Sequence, residues 1–451
     1  MLLLIQLAWA SAQEQGASTS QRDTHACTPV EGSTALDVAG NTDQIQGSCV
    51  NDQGEPDAII DNGESLSNYA KSTVVTGGAK SVDAELVAAD RVKTAIFPID
   101  VIHSRLKGYY TLKDRLHDRF GLRFNIDFSA IAQYATFSTT EQNASSTVFR
   151  VLGSWLNVGD PAEISGSLIW KFEARTAYTA VQPRNLGFDA LSALSTSNYK
   201  DQDWGPTNLY WKQSFGGGRH QFIAGHIDPG DWTDQYPLMN PWTYWLSDAF
   251  NFPTEPVPKQ GTGFAMQSFF PNEVYFAAGI ADANGKGSRL DVDSFFDVGE
   301  YFTWAEIGYR PGVTYTSGTN LHLHYWHQDK TVEQGFEESW GLNFNYSNII
   351  GSVTPFVRVG YAEGDAPFMR RLIGAGATFK VFGRDDFGIA TSWGSPPDKS
   401  LRDQVTSEIF YRLQLTQNWT FTPNIQWTIN PSYNPVEDQL FVFSLRTRLV
   451  F

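Results

Sequence analysis

The sequence predicts an all-β chain, a transmembrane antiparallel β-barrel of about sixteen strands behind a mostly irregular, partly helical extension. Three observations carry that expectation. From residue 122 to the end, apolar and polar residues alternate with period two, as side chains on a strand alternate between its faces. The alternating runs often reach about ten residues, longer than the roughly five or six usual in globular sheets and suited to tilted strands crossing a bilayer. The gaps between runs alternate long and short. A sandwich has no reason for that rhythm, whereas an outer-membrane barrel has tight turns at one rim and long loops at the other.

The first residues, MLLLIQLAWASA (1–12), read as an apolar export segment ending in the small-x-small site Ala10-Ser11-Ala12. The usual basic start is missing, which leaves room for a start further upstream; an ordinary buried N-terminus is the bland alternative. Residues 13–100 form an acidic, largely irregular extension, rich in Gly, Ser, Thr and Asp. About half of the net charge of −16 falls in residues 13–95. So acidic a chain lacks the basic footprint of a nucleic-acid binder, and no nucleic-acid partner is expected. Cys27 and Cys49 are the only cysteines. In an exported chain they could close a loop as a disulfide, or stand as two free thiols. With only His25 nearby they make a poor metal site, so no metal and no cofactor is expected.

Within the extension, SVDAELVAADRVKTA has the composition of a short helix. Residues 101–121 follow as an amphipathic periplasmic helix, with Leu106, Tyr109 or Tyr110, Leu112 and Leu116 at helical spacing and Gly121 as its stop. The barrel then occupies 122–451. Its strands are expected to begin near residues 122, 147, 163, 207, 220, 262, 274, 301, 320, 339, 353, 372, 387, 407, 419 and 440. In LRFNIDFSAIAQY the polar face is Arg123, Asn125, Asp127, Ser129 and Gln133, with Ile131 the exception. In EISGSLIWKFEAR, Ile164, Leu168, Trp170 and Phe172 oppose Ser165, Ser167, Lys171, Glu173 and Arg175. The last strand sets Phe441, Phe443, Leu445, Leu449 and Phe451 against Ser444, Arg446 and Arg448. Mean hydropathy is −0.30, and no run approaches the roughly 20 apolar residues of a spanning helix. Alternating strands average to a polar sequence, so a barrel is not excluded. The 14% aromatic content, with 14 Trp, 18 Tyr and 31 Phe, suits aromatic girdles, although a glycan-binding sandwich would share it.

Several stretches resemble the carbohydrate-selective outer-membrane porin family. They are GRDDFGIATSWGSP (383–396), EIFYRLQLTQNWTFTPNIQWTINPSYNP (408–435) and the Phe-terminated last strand. Upstream, HLHYWHQD (322–329), YFTWAEIGYRP (301–311) and AGHIDPGDWTDQYP (224–237) are similar to it as well. The resemblance spans roughly residues 100–451 and is densest over the last 150 or so. It implies a sixteen-stranded barrel in the bacterial outer membrane, passive diffusion of mono- or oligosaccharides, and no enzymatic activity. The acidic segment at 13–95 departs from the family's compact pattern, leaving open a plug, a cell-wall tether or a partner site.

Strand parity assigns candidate lumen residues. Asp127, Lys171, Glu306, Arg310, His322, His324, Trp326, Arg358, Glu408, Phe410, Arg412, Arg446 and Arg448 all point inward by alternation. Arginine and glutamate supply donors and acceptors for sugar hydroxyls, and Trp326 or Phe410 could offer a platform to a pyranose face. Each contact has to stay weak, or the sugar would be held. The alternative is that the charges merely neutralise one another. The long connection 228–261 could fold inward as a constriction loop, with Asp228, Asp231, Trp232, Asp234 and Trp242 its candidates, or stay at the rim. The partners this arrangement implies are membrane lipid at the apolar face and the barrel assembly machinery at Phe451; a homotrimer is one assembly it could form. A porin for small organic anions is the runner-up, since several inward arginines favour anions. A secreted glycan-binding protein or glycoside hydrolase is the reading from another class. Hydrolysis needs two carboxylates about 5–10 Å apart. The adjacent Glu337 and Glu338 would point oppositely in a strand, and no G-x-S-x-G motif accompanies His322 and His324.

Overall fold

The computed structural model describes residues 77–98, 100–138, 141–186, 194–195, 198–311, 319–434 and 436–451. The segment 1–12 and the cysteines Cys27 and Cys49 lie outside the described residues.

Alternation at period two becomes sixteen antiparallel strands. They are β1 (Leu122–Ala135), β2 (Asn143–Gly159), β3 (Ile164–Ala177), β4 (Gln202–Phe215), β5 (His220–Ile227), β6 (Gly261–Phe269), β7 (Val274–Asp282) and β8 (Tyr301–Tyr309). Then come β9 (Thr319–Gln328), β10 (Ser339–Asn348), β11 (Val353–Glu363), β12 (Arg371–Val381), β13 (Asp385–Ser395), β14 (Gln404–Gln414), β15 (Trp419–Ile429) and β16 (Gln439–Val450). Each pairs with its neighbours in sequence, and β1 pairs with β16, so the sheet closes into a barrel. At the seam Phe128 lies opposite Leu449. There Ile126 and Phe451 exchange backbone hydrogen bonds of 2.9 and 3.0 Å. Closure satisfies every strand's backbone within the sheet, which a lipid-facing wall requires.

The expected strand starts agree closely, with two offsets. β2 begins at Asn143 rather than near 147, because Ser145 and Ser146 hide its start in polar sequence. β4 begins at Gln202 rather than near 207, and its pairing with β3 shifts register at Lys171/Phe172, beside Pro206. Long and short connections alternate as the sequence suggests. One rim holds 160–163, 216–219, 270–273, 349–352, 382–384 and 415–418, with 310–318 the longer exception. The other holds 136–142, 178–201, 228–260, 283–300, 329–338, 364–370, 396–403 and 430–438.

The outward face is apolar and exposed, as at Phe128, Ile307, Leu323, Val357, Ile409 and Leu445. Exposed aromatics gather at two levels. Trp155, Tyr309 and Trp419 sit toward the short-turn rim, and Tyr134, Trp340 and Trp427 toward the long-loop rim. Trp427 stacks on Phe441 across β15 and β16, with ring centroids 5.8 Å apart. Such paired bands suit the two interfaces of a bilayer.

Among the described residues, two helices precede the barrel. α1 (Val82–Asp90) is capped by Ser81, whose hydroxyl accepts from the Ala84 amide at 3.4 Å. α2 (Asp100–Phe120) runs into the turn at Gly121, whose φ of +67° suits glycine. The α2 helix lies at the short-turn rim. Asn418 donates to the Tyr110 hydroxyl at 2.8 Å, and the Trp155 indole donates to the Phe120 carbonyl at 2.9 Å. Between the helices, Ile96 and Phe97 donate to the carbonyls of Gln414 and Leu415, both at 2.9 Å.

Candidate functional site

The interior is built around the connection 228–260, which folds into the barrel. Its start is set locally: Asp228 opens a tight turn at Pro229–Asp231 by accepting from the Gly230 amide at 3.1 Å. Asn208 on β4 accepts from the Asp228 amide at 2.7 Å and donates to Asp231 at 3.0 Å. Further on, Tyr236, Leu238, Met239, Trp245 and Phe250 cluster with the wall residues Phe356 and Phe410. Trp245 meets Phe410 edge-on at 4.9 Å. A one-turn helix, α3 (Asp248–Asn251), is capped by Ser247. Asp228, Asp231, Trp232, Asp234 and Trp242 are all buried. This apolar cluster thus sits inside the cylinder rather than between sheets.

Inward charges of the wall hold this loop. The Arg358 guanidinium ion-pairs with Asp234, donates to the carbonyls of Asn251 (2.7 Å) and Phe250 (3.2 Å), and lies 4.6 Å from the Tyr236 ring centre. Asp234 also lies 2.8 Å from His322, and Glu255 lies 3.1 Å from His324. Asn343 donates to both Asp234 and Glu255 at 3.1 Å. Further round the wall, on β14, Glu408 accepts from the backbone amides of Leu246 (2.7 Å) and Ser247 (2.9 Å). Arg446 donates to the carbonyls of Pro241, Thr243 and Tyr244, and Arg150 stacks 4.0 Å over the Trp242 ring. A buried loop must satisfy its backbone, and these side chains do so with charge-assisted bonds. At Gly360 on β11 a Cβ would come within 2.7 Å of Thr254, so the glycine lets the loop seat closely.

The electrostatics of the loop follow from those contacts. Burial opposes ionisation of Asp234, but Arg358 beside it prevails and holds the carboxyl down to about 2. Asp228 is likewise held below the usual range, with Lys80 and Lys171 outweighing burial. Asp231 is pushed up, by burial and by the neighbouring Asp228. Asp248, buried, rises to about 7. Among the described residues, Asp234, Glu306 and His322 could bring three metal-ligand atoms within 4.8 Å of one another. Arg358 already neutralises Asp234 there, so a cation would have to displace a guanidinium.

The second insert is the stretch before α2. The Gly78 amide donates to the Asp231 carbonyl at 2.7 Å, which places the start of this stretch against the loop. Val82 and Leu86 are buried in a cluster with Leu152, Ile169, Tyr210 and Trp232. Asp83 takes a bond from Lys212 at 2.7 Å, and Glu85 pairs with Arg448 and, at 3.4 Å, with Arg150. α1 therefore occupies the lumen between the loop and the short-turn rim.

All thirteen lumen candidates point inward, but the structure does not leave them at the edge of open water. His322, His324, Arg358, Glu408 and Arg446 bear on the loop, as described, while Glu306 accepts from the Tyr275 hydroxyl and lies 3.2 Å from His324. Asp127 pairs with Arg150 and Arg448, and Lys171 lies 3.4 Å from Asp231. Arg310 stacks 4.6 Å over Phe269. Arg412 pairs with Asp386 at 3.1 Å. The two suggested platforms are covered: Trp326 is fully buried and donates to Thr254 at 3.1 Å, and Phe410 lies under Trp245. The reason is the inserts, whose own backbone and carboxylates claim the inward donors. Sequence reading missed Arg150, Lys212, Asn343 and Glu255, and the acidic partners Asp83 and Glu85. Arg150 was visible in the alternation of VFRVLGSW, but the others declare themselves only through long-range pairing.

Residues 343–451 match the model of the family described as carbohydrate-selective porin, OprB family. Over these last residues the chain is similar to carbohydrate-selective porins, and over the described residues it has the closed sixteen-stranded barrel set out above. Among solved structures, the fold is similar to that of Pseudomonas putida OprB at high pH, with a TM-score of 0.58 and 13% identity, over 76% of this chain and 96% of that one. The low-pH structure of the same protein aligns with a TM-score of 0.45 and 12% identity, over 80% of this chain and 99% of that one. A mutant of the Rh. blastica porin aligns with a TM-score of 0.47 and 10% identity, over 73% and 100% of the two chains. No curated protein matches this chain.

Proposed function

We propose that sugars cross this porin passively by entering at the long-loop rim, passing a constriction framed by the 228–260 loop, and leaving past α1. The observation that carries the reading is the clamp. Wall side chains spaced around the ring, Arg150 on β2, His322 on β9, Arg358 on β11, Glu408 on β14 and Arg446 on β16, fix one loop across the lumen. A loop so held sets a pore size, and the lumen residues then act mainly by positioning it. The alternative of catalysis finds no support in these contacts, because His322 and His324 are engaged by Asp234, Glu255 and Glu306 rather than by a nucleophile. In this reading residues 1–12 direct export, the apolar outer face meets lipid, and Phe451 serves the assembly machinery as an apolar handle. Three such barrels could associate.

Liposome swelling with a graded series of neutral sugars tests it. Entry rates should fall steeply from monosaccharide to trisaccharide. Vesicles that swell no faster than protein-free ones with any sugar would defeat the proposal.

A further inference from the structure

At the long-loop end lies a cavity of about 500 Å³, open to the outside, whose wall comes from five different connections. Among the described residues, six cationic side chains and three carboxylic ones line it, in a chain whose net charge is −16. Three of the cations have acidic partners: Arg175 with Glu173 at 2.6 Å, Lys80 with Asp231 at 3.4 Å, and Lys286 with Glu333 at 2.9 Å. The other three, Arg184, Lys200 and Lys259, have no ion pair with any carboxylate among the described residues. The one lining carboxyl left over, Asp248, is buried and rises to about 7, so near neutral pH it compensates only part of that excess. Burial most of all, and then the neighbouring Arg175, Arg184 and Lys259, push Lys200 down to about 7, a shift that an anion held beside it would reverse. Half-buried Phe252, Phe336 and Phe368 share the wall with the amides of Gln260, Asn284 and Gln334. Aromatic faces suit pyranose rings, and amides suit hydroxyls.

We propose that this outer vestibule is a recruitment site for anionic saccharides, sugars carrying a carboxylate, which Arg184, Lys200 and Lys259 hold before they reach the loop. The proposal rests on the sugar-porin reading and adds to it the class of sugar. It places selection by charge at the mouth rather than at the constriction, where the wall's charges are already paired with the inserts. The contact stays serviceable for transport because the cavity is wet and salt-screened, so capture is weak and reversible.

The test compares block of ion current in planar bilayers by glucuronate and by glucose, added to the side of the long connections. At about pH 6, where Lys200 is mostly charged and Asp248 mostly neutral, three cations at about 5–7 Å in screened water should make glucuronate block at about tenfold lower concentration than glucose. The triple variant Arg184→Gln, Lys200→Gln, Lys259→Gln should lose that preference and keep its glucose block. Heat-modifiable gel mobility verifies that the variant's barrel is folded, and Lys259→Gln alone should give a partial loss. Equal block by the two sugars in the wild type, or a preference that survives the triple change, would overturn the proposal. Inorganic phosphate blocking as well as glucuronate would also overturn it, since the site would then read charge without a sugar. Glucose-driven liposome swelling keeps the two levels apart. Swelling without a glucuronate preference removes only this inference, whereas no swelling at all removes the porin reading beneath it.

Discussion

Replacing Arg358 with Ala probes the clamp most directly. The wild-type guanidinium satisfies Asp234, two loop carbonyls and the face of Tyr236, all buried. Removing one partner of a buried ion pair costs about 3–5 kcal/mol, because the remaining charge is left without compensation. Here His322 stays 2.8 Å from Asp234, so the lower end, about 3 kcal/mol, applies. That cost falls on the seating of the loop and not on the wall, whose β10–β11–β12 pairing is made by backbone. At about 1.4 kcal/mol per tenfold, the unseated fraction should rise about a hundredfold. Single-channel recording should show larger and noisier conductance and weaker sugar discrimination, with normal barrel abundance and heat-modifiable mobility. The reciprocal change, Gly360→Val, adds bulk where Thr254 approaches and should produce the same noise with the ion pair intact. Conductance, noise and sugar block all matching wild type in Arg358→Ala would refute the clamp. The pH response has a definite sign. Asp234 is depressed from its ordinary 3.8 to about 2, so its stabilising contribution is present above about pH 4 and is lost as pH falls toward 2.

Three further outcomes are expected. The double change Asp83→Asn, Glu85→Gln removes the carboxylates that hold α1 to Lys212, Arg150 and Arg448, and should raise single-channel conductance severalfold; unchanged conductance would show that α1 does not obstruct the path. Anion selectivity, read as reversal potential in a salt gradient, should fall as pH rises from 5 to 9, because Asp248, raised from 3.8 to about 7, gains its charge in the window where Lys200, lowered to about 7, loses its own. Asp248→Asn should reduce the slope and leave the part due to Lys200, and for stability the Asp248 shift favours the fold below about pH 4 and loses that benefit as pH rises through 7. Phe451→Asp should impair insertion of the barrel, measured as the heat-modifiable fraction in outer membranes, and insertion at the wild-type level would count against its role as a handle.

What could be read from the sequence was what is local. Period two is enforced by strand geometry residue by residue, so the faces of β1, β3, β9 and β16 followed directly from alternation. Parity then gave which rim each connection joins. What covers an inward side chain is not local, and there the reading fell short: Trp326 and Phe410 were cast as platforms for a solute and are buried beneath the loop. A signal did exist. Ile131, the apolar exception on the polar face of β1, packs with Val148, Tyr199, Trp242 and Leu246, where the loop meets the wall. An apolar residue breaking a water-facing alternation marks a place where water is excluded. The short helix in SVDAELVAADRVKTA was also legible, but its position in the lumen was not, because Asp83 and Glu85 find their partners more than sixty residues away or further.

The two inserts change what the inward charges are for. In an open cylinder an arginine on the inner wall would be hydrated, and its contact with a passing sugar would compete with water. Here the inner wall binds protein. Arg446 spends its donors on three loop carbonyls, and Arg448 and Arg150 share Asp127 and Glu85. Charges so engaged discriminate among solutes through the shape they impose, since a donor already bonded offers a hydroxyl little. Direct chemical recognition then falls to polar groups not so engaged, and among the described residues Arg184, Lys200 and Lys259 in the outer vestibule are such a group. Size selection at the loop and charge selection at the mouth are thus separable in this barrel. A loop variant should alter the dependence of permeation on sugar size and leave the glucuronate preference intact, and a vestibule variant should do the reverse.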